Sequence, residues 1–288
     1  MEKKFFEKPV VYVGDISINV TELERSLAFY QDIFGFIILE QTDQKAVLSA
    51  DGKMPLLTLT QPDHVLPKER RTTGLYHFAI LLPTRAALAN FLKHLVQVGG
   101  SQFHLGASDH GVSEALYFSD PDGNGIEVAH DRPSSEWNWS KGEGEMVTEV
   151  LDGDNLVAER DQQWDGLPKD TVMGHIHLHV TELDKIESFY TKGLGFNVVT
   201  RYPGAIFTST GDYHHHIALN VWNGEGARTP AKNSVGLNWY TLVFPNETSR
   251  EKVIDQLQQV GASVVSEGDY YTTEDPSGNT IHLRLGNN

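Results

Sequence analysis

The sequence predicts an α+β fold assembled from four βαβββ modules, and three observations carry that expectation. DISINVTELERSLAFYQDIFGF (15–36) returns as HIHLHVTELDKIESFYTKGLGF (175–196). Both read as a strand, Val-Thr-Glu-Leu, an amphipathic helix ending in Phe-Tyr, and a Gly-Phe exit. HFAILLPTRAALANFLKHLVQVGG (77–100) and WYTLVFPNETSREKVIDQLQQVGA (239–262) each read as a strand, a Pro-containing turn, a helix and a Val-Gly stop. Each of this second pair is followed by a hairpin, DPDGN at 120–124 or DPSGN at 275–279, where Pro fixes one φ and Gly permits a positive one.

In chain order the modules are expected at 12–60, 74–131, 173–222 and 236–286. They group as a first pair (10–131), a bridging segment (132–171) rich in Trp, Glu, Asp and Gly, and a second pair (172–286). Thr21 and Thr181 are placed to cap their helices, and Gly35 and Gly195 sit where the chain leaves them. Tyr30 and Tyr190 close those helices as core residues. In the bridge, Trp137, Trp139 and Trp164 read as anchors pinning the segment to the body. The last strand of the third module is read as YHHHIALNVW (213–222), and strict alternation puts His214, His216 and Ala218 on one face and His215 on the other.

The bulk numbers narrow the function classes. At 288 residues the chain can bury a sizeable core. Lys plus Arg number 23 against 39 Asp plus Glu, a net charge of −16, so the surface repels phosphate backbones and anionic lipid. Neither a nucleic-acid nor a membrane partner is expected. The absence of Cys excludes disulfides and thiolate metal sites and fits a reducing compartment. With no apolar run long enough for a signal peptide or a bilayer span, a cytoplasmic protein is expected. The sequence leaves homo-oligomerisation open.

The modular pattern resembles the vicinal oxygen chelate superfamily, which includes glyoxalase I, the fosfomycin and bleomycin resistance proteins, and type I extradiol dioxygenases. The stretches GLYHFAILLP (74–83), DHGVSEALYFSDPDGNGIE (109–127) and MGHIHLHV (173–180) carry the closest likeness, to the bacterial extradiol enzymes that cleave catechols. His110, Leu116-Tyr117, Asp120-Pro121, Gly123 and Glu127 follow the extradiol ring-cleavage signature, with Ser108 the one departure. The resemblance implies that modules pair into two curved mixed sheets, each able to enclose a metal held by residues from first and last strands.

Aligned on that pattern, the first-strand ligand positions are Asp15, His77, His175 and Trp239, and the last-strand positions include Glu127 and His282. Two histidines and one carboxylate on one face suit non-haem Fe(II), with Mn(II) accepted by the same set. Only modules two and three together supply it, as His77, Glu127 and His175. Modules one and four offer Asp15, Trp239 and His282, and indole is no ligand. Pairing of module two with module three is therefore expected in preference to pairing in chain order, which the resemblance also allows.

By resemblance, His110 and Tyr117 donate hydrogen bonds around a bound substrate. His216 matches the acid–base histidine, one residue of slippage making it His215. His177 and His179 share a face with His175. The implied activity is ring opening of a small aromatic diol by O2. Two other classes share the fold: a glyoxalase-like metal-dependent isomerase or lyase, and a metal-free small-molecule-binding protein.

Overall fold

The computed structural model describes residues 3–99, 104–140, 143–144 and 146–286. Module one comprises β1 (Tyr12–Asn19), α1 (Leu23–Phe34), β2 (Ile37–Gln41), β3 (Lys45–Ser49) and β4 (Leu57–Thr60). Module two follows as β5 (Gly74–Leu81), α2 (Arg85–Gly99), β6 (Gly106–Asp109), β7 (Ser113–Ser119) and β8 (Gly125–Asp131). Among its described residues the bridge holds a 3-10 turn (Ser134–Glu136), the two-residue strands β9 (Trp139–Ser140), β10 (Glu143–Gly144) and β11 (Glu149–Val150), and the short helix α3 (Gly153–Ala158). Module three is β12 (Val172–His179), α4 (Leu183–Ser188) continued by a π-helical turn (Phe189–Gly193), β13 (Asn197–Tyr202), β14 (Ala205–Ser209) and β15 (Ile217–Asn220). Module four is β16 (Gly236–Phe244), α5 (Glu247–Gln259), β17 (Val264–Ser266), β18 (Tyr271–Glu274) and β19 (Thr280–Leu285).

Sheet order decides which modules face one another. One sheet runs β17-β18-β19-β16-β1-β4-β3-β2 and joins module four to module one. The other runs β11-β6-β7-β8-β5-β12-β15-β14-β13 and joins module two to module three, with one bridge strand at its edge. At each seam the two first strands pair antiparallel, β1 with β16 and β5 with β12. Within a module the first and last strands run parallel. First- and last-strand residues from two modules therefore meet at the middle of each sheet.

Helix α1 shows how the repeat is built. Leu23, Leu27, Tyr30, Ile33 and Phe34 are buried at helical spacing, and Gly35 ends the helix at φ 76° with its N–H on the Gln31 carbonyl. Gly195 leaves its helix in the same left-handed conformation.

Thr21 and Thr181 do not cap. The positions flanking α1 and α4 are Glu22 and Glu182, neither with a side-chain cap bond. Thr21 instead donates through its N–H and hydroxyl to Asp122, and the Thr181 N–H donates to the Ser277 hydroxyl. Those partners lie in the two Asp-Pro turns, so the residue that would close a helix locally fastens it to the neighbouring module.

Tyr30 and Tyr190 are fully buried, and their hydroxyls reach Asp120 and Asp275 of the same turns. A single apolar cluster runs through all four modules, including Ile16, Phe78, Ile176 and Leu242. In the bridge, Trp137 is buried against Phe5, and Trp164 packs edge-on to Phe91 in α2. The side chain of Trp139 lies outside the described residues.

Candidate metal centre

The register at the seam of modules two and three assembles the site. Ala79 of β5 lies opposite His175 of β12 and Glu127 of β8. His77 is two residues along the same strand, so all four side chains share a face. Ala79 is too short to fill the space between its neighbours, which leaves room for three longer side chains to converge. Two β-bulges refine their aim. Gly174 is the extra residue of β12 between Met173 and His175, and Tyr76 is the extra residue of β5 opposite His177 and Leu178.

The convergence is tight. His175 Nε2 lies 3.0 Å and His77 Nε2 3.1 Å from Glu127 Oε2, and the two imidazole nitrogens are 3.3 Å apart. All three residues are buried, Glu127 at 2% exposure. Three ligand atoms on one face of an octahedron with bonds of ~2.1 Å lie ~3.0 Å apart, against ~3.4 Å for a tetrahedron; the two edges to Glu127 fall at the octahedral value and the edge between the imidazoles nearer the tetrahedral one. Two imidazole lone pairs and a carboxylate turned on one another in a buried space call for a cation at their centre. The residues fit a metal, and they form the one His/Cys/Asp/Glu cluster of that kind among the described residues.

Electrostatics favour the ligand forms. Burial alone would raise Glu127, but His175 and then His77 outweigh it and hold its carboxyl well below the usual carboxylate range. Burial lowers His77, with Glu127 partly opposing it. His177, buried and flanked by His77 and His175, is pushed well below the ordinary histidine value. Its Nε2 bonds the Asn220 side-chain amide, which also holds His179 Nδ1. His177 and His179 are thus partnered side chains beside the triad.

His110 and Tyr117 form a linked pair. His110 Nδ1 lies 2.8 Å from the Val147 carbonyl, so that nitrogen donates, and Nε2 accepts from the Tyr117 hydroxyl at 2.8 Å. Tyr117 is directly across from Glu127 in the β7–β8 register and its ring lies 5.5 Å from that of His77. Burial, and then the Glu127 charge, raise the Tyr117 phenol well above its usual value. The Val147 carbonyl belongs to the bridge, which therefore orients His110 as well as joining the halves.

His216 is not where alternation puts it. It is fully buried away from the triad, with Nε2 3.1 Å from the Phe5 carbonyl and its ring against Phe6 and Tyr213. Burial pushes it down to about 3 against the pull of that carbonyl. His215 faces the cluster instead, its ring centroid 4.1 Å from that of His175. The cause is local: β15 begins only at Ile217, and bends at His214 and His216 break the two-residue period. Burial, with His175, His214, His177 and His77 adding to it, holds His215 well below the ordinary value and keeps it neutral.

The equivalent place in modules one and four is filled differently. Trp239 stacks on His282 at 4.4 Å, Tyr270 packs on the same ring, and Arg284 lies over both aromatics. Asp15 is buried, and burial raises it against the opposing influence of the nearby Thr241 hydroxyl and the Arg284 charge. A cavity of about 890 Å³ opens elsewhere, where the two sheets meet beside Lys68, Arg71, Lys232 and Asn238.

Comparison with known proteins gives a consistent picture. The family description Glyoxalase/Bleomycin resistance protein/Dioxygenase superfamily matches residues 12–128 and 172–283. The chain is 44% identical over 270 residues to a catechol-2,3-dioxygenase of Bacillus subtilis (strain 168), covering 92% of this chain and 94% of the relative. Among solved structures, a Bacillus subtilis protein described provisionally as a dioxygenase aligns with TM-score 0.64 at 14% identity, over 96% of this chain and 86% of that one. Glyoxalase I from Zea mays aligns with TM-score 0.57 at 16% identity, over 95% and 92% of the two chains. At those identities the solved structures speak for the fold alone.

Proposed function

Because the chain belongs to the Glyoxalase/Bleomycin resistance protein/Dioxygenase superfamily, we propose that it is an extradiol dioxygenase acting on catechol or a substituted catechol. O2 is the second substrate, and a mononuclear non-haem Fe(II) is held by His77, Glu127 and His175. The observation that carries this reading is the buried His–Glu–His cluster, whose three ligand atoms lie 3.0 to 3.3 Å apart. The 44% identical relative, named for catechol cleavage, supports the same chemistry. Mn(II) is compatible with the same three ligands.

When bound, the metal would supply open coordination positions and Lewis acidity toward the vicinal oxygens of the substrate. The protein's own groups divide the rest. His215, neutral and against the triad, takes a proton from a catechol hydroxyl at a ring nitrogen and returns it when the ring opens. Tyr117 turns its hydroxyl from His110 to a substrate oxygen as charge develops there, and His110, its Nδ1 proton held by the Val147 carbonyl, positions the phenol through Nε2. Tyr76, packed edge to face on His177 and Trp222, forms with them an aromatic wall beside the cluster against which a planar ring can lie.

The test is aerobic addition of catechol to the Fe(II)-loaded protein, followed by oxygen uptake and the yellow ring-opened semialdehyde. Glu127→Ala should lose bound iron and turnover with little change in the unfolding midpoint. A Glu127→Ala protein that retains both would refute the ligand set, and no oxygen uptake with any simple catechol would refute the activity.

A further inference from the structure

We propose that His214 and Asp131 are positioning residues that fix which ring nitrogen of His215 carries its proton. The proposal rests on the reading of His215 as the proton-transfer group. It begins from an unbroken line of side chains. His215 Nδ1 lies 2.9 Å from His214 Nδ1, and His214 Nε2 lies 2.9 Å from Asp131 Oδ1. The other carboxylate oxygen, Asp131 Oδ2, accepts from the Tyr213 hydroxyl at 2.8 Å.

The proton positions follow from what each group can do. An ionised carboxylate only accepts, so His214 must donate from Nε2. With one proton per ring, His214 Nδ1 is then a lone pair, and the bond to it must be donated by His215 Nδ1. That leaves His215 Nε2 as a lone pair on the other side of a ring packed against His175. The opposite tautomer would point two lone pairs at each other in a buried space: His214 and His215 are only 3% and 5% exposed.

The fold builds this line with the same strand that brings the metal carboxylate. Asp131 and Glu127 are four residues apart on β8 and face the same way, both opposite module three. Tyr213 and His214 lie in the turn before β15, where the bends that displace His216 also present His214 to Asp131. Tyr213 is fully buried and packs against His214 with ring centroids 4.0 Å apart and planes tilted by 34°, which restrains the middle ring.

Two measurements test the proposal. Long-range proton–nitrogen NMR of the metal-free wild-type protein, labelled with 15N-histidine, reads each tautomer directly. The expected pattern is Nδ1–H for His215 and Nε2–H for His214; a proton on Nε2 of His215 overturns the proposal. In Asp131→Asn the Tyr213 hydroxyl, which donates to this side chain, takes the amide oxygen and turns the amide nitrogen toward His214, so both rings should reverse. With the Fe(II)-loaded enzyme, this change should lower kcat with catechol on the order of 10²- to 10⁴-fold, as removal of a histidine-orienting carboxylate does elsewhere. KM and iron content should stay near wild type. Unchanged kcat, or a fall matched by lost iron or raised KM, overturns it. Failure of the wild type to consume catechol would instead remove the functional reading, and the NMR result would still decide the tautomers.

Discussion

Gly125 lies directly in register with His77 across the β5–β8 pair, and no side chain fits between them. A Cβ on Gly125 would come within 2.1 Å of the Tyr76 carbonyl oxygen and 3.1 Å of the His77 Cβ. The glycine that follows the Asp-Pro-Asp-Gly-Asn turn is there to let β8 approach the strand that bears a ligand. The nearest obstacle is backbone, which cannot swing aside, so Gly125→Ala must move β5 or β8. The expected cost is about 1 to 3 kcal/mol of stability. Iron stoichiometry should fall as well, because the displaced strand carries His77. Thermal unfolding of the metal-free protein and metal analysis after Fe(II) loading check the two effects separately, and full iron occupancy would show that the close approach does not set the ligand geometry.

That relationship also marks how far the sequence could be read. The repeat of Val-Thr-Glu-Leu and the twin Asp-Pro-x-Gly-Asn turns make four modules visible, because each module needs the same helix exit and the same hairpin. The requirement that two histidines and a carboxylate share a face selects modules two and three, and the sheet order places them together. The misplacement of His216 has a different origin. Alternation holds only within a strand, and where β15 starts is set by its pairing with β12, distant in sequence, as well as with the preceding β14. The bulges at Gly174 and Tyr76, and the use of Thr21 as a tie to Asp122, likewise depend on partners that no local pattern encodes.

His282 sets an acid limit that involves no residue of the metal cluster. Burial, with the Arg284 charge adding to it, lowers this ring to about 4 from its ordinary 6.5. The folded state thus refuses a proton that the unfolded chain accepts. Its contribution to stability is complete above pH 6.5, declines as pH falls from there toward 4, and is gone below that. Each pKa unit is worth about 1.4 kcal/mol, and solvent screening beside the half-buried Tyr270 and Arg284 brings the total to roughly 1 to 2 kcal/mol. Urea unfolding at pH 7 and pH 4.5 should therefore show a smaller loss for His282→Gln than for wild type. Equal losses would mean that the ring is free to protonate in the folded protein.

The two buried tyrosines of the repeat should respond unequally to the same substitution. Tyr30 donates to Asp120 Oδ2, which also accepts from the Asn124 amide, so Tyr30→Phe leaves the carboxylate oxygen with a partner. The loss is one hydrogen bond, about 0.5 to 1.5 kcal/mol. Tyr190 donates to Asp275 Oδ2 at 3.1 Å and, with its proton committed there, accepts from the Tyr240 hydroxyl at 2.9 Å. Tyr240 is fully buried, so Tyr190→Phe removes two bonds and strands a hydroxyl away from water. Leaving that donor unsatisfied adds about 1 to 3 kcal/mol to the cost of the first bond. Urea midpoints at constant m-value should consequently fall further for Tyr190→Phe than for Tyr30→Phe. The double variant Tyr190→Phe, Tyr240→Phe should recover part of the difference, since it removes the stranded hydroxyl along with its lost partner. Equal midpoints for the two single variants would show that Tyr240 finds another acceptor, and the module three–four seam would then owe little to this pair.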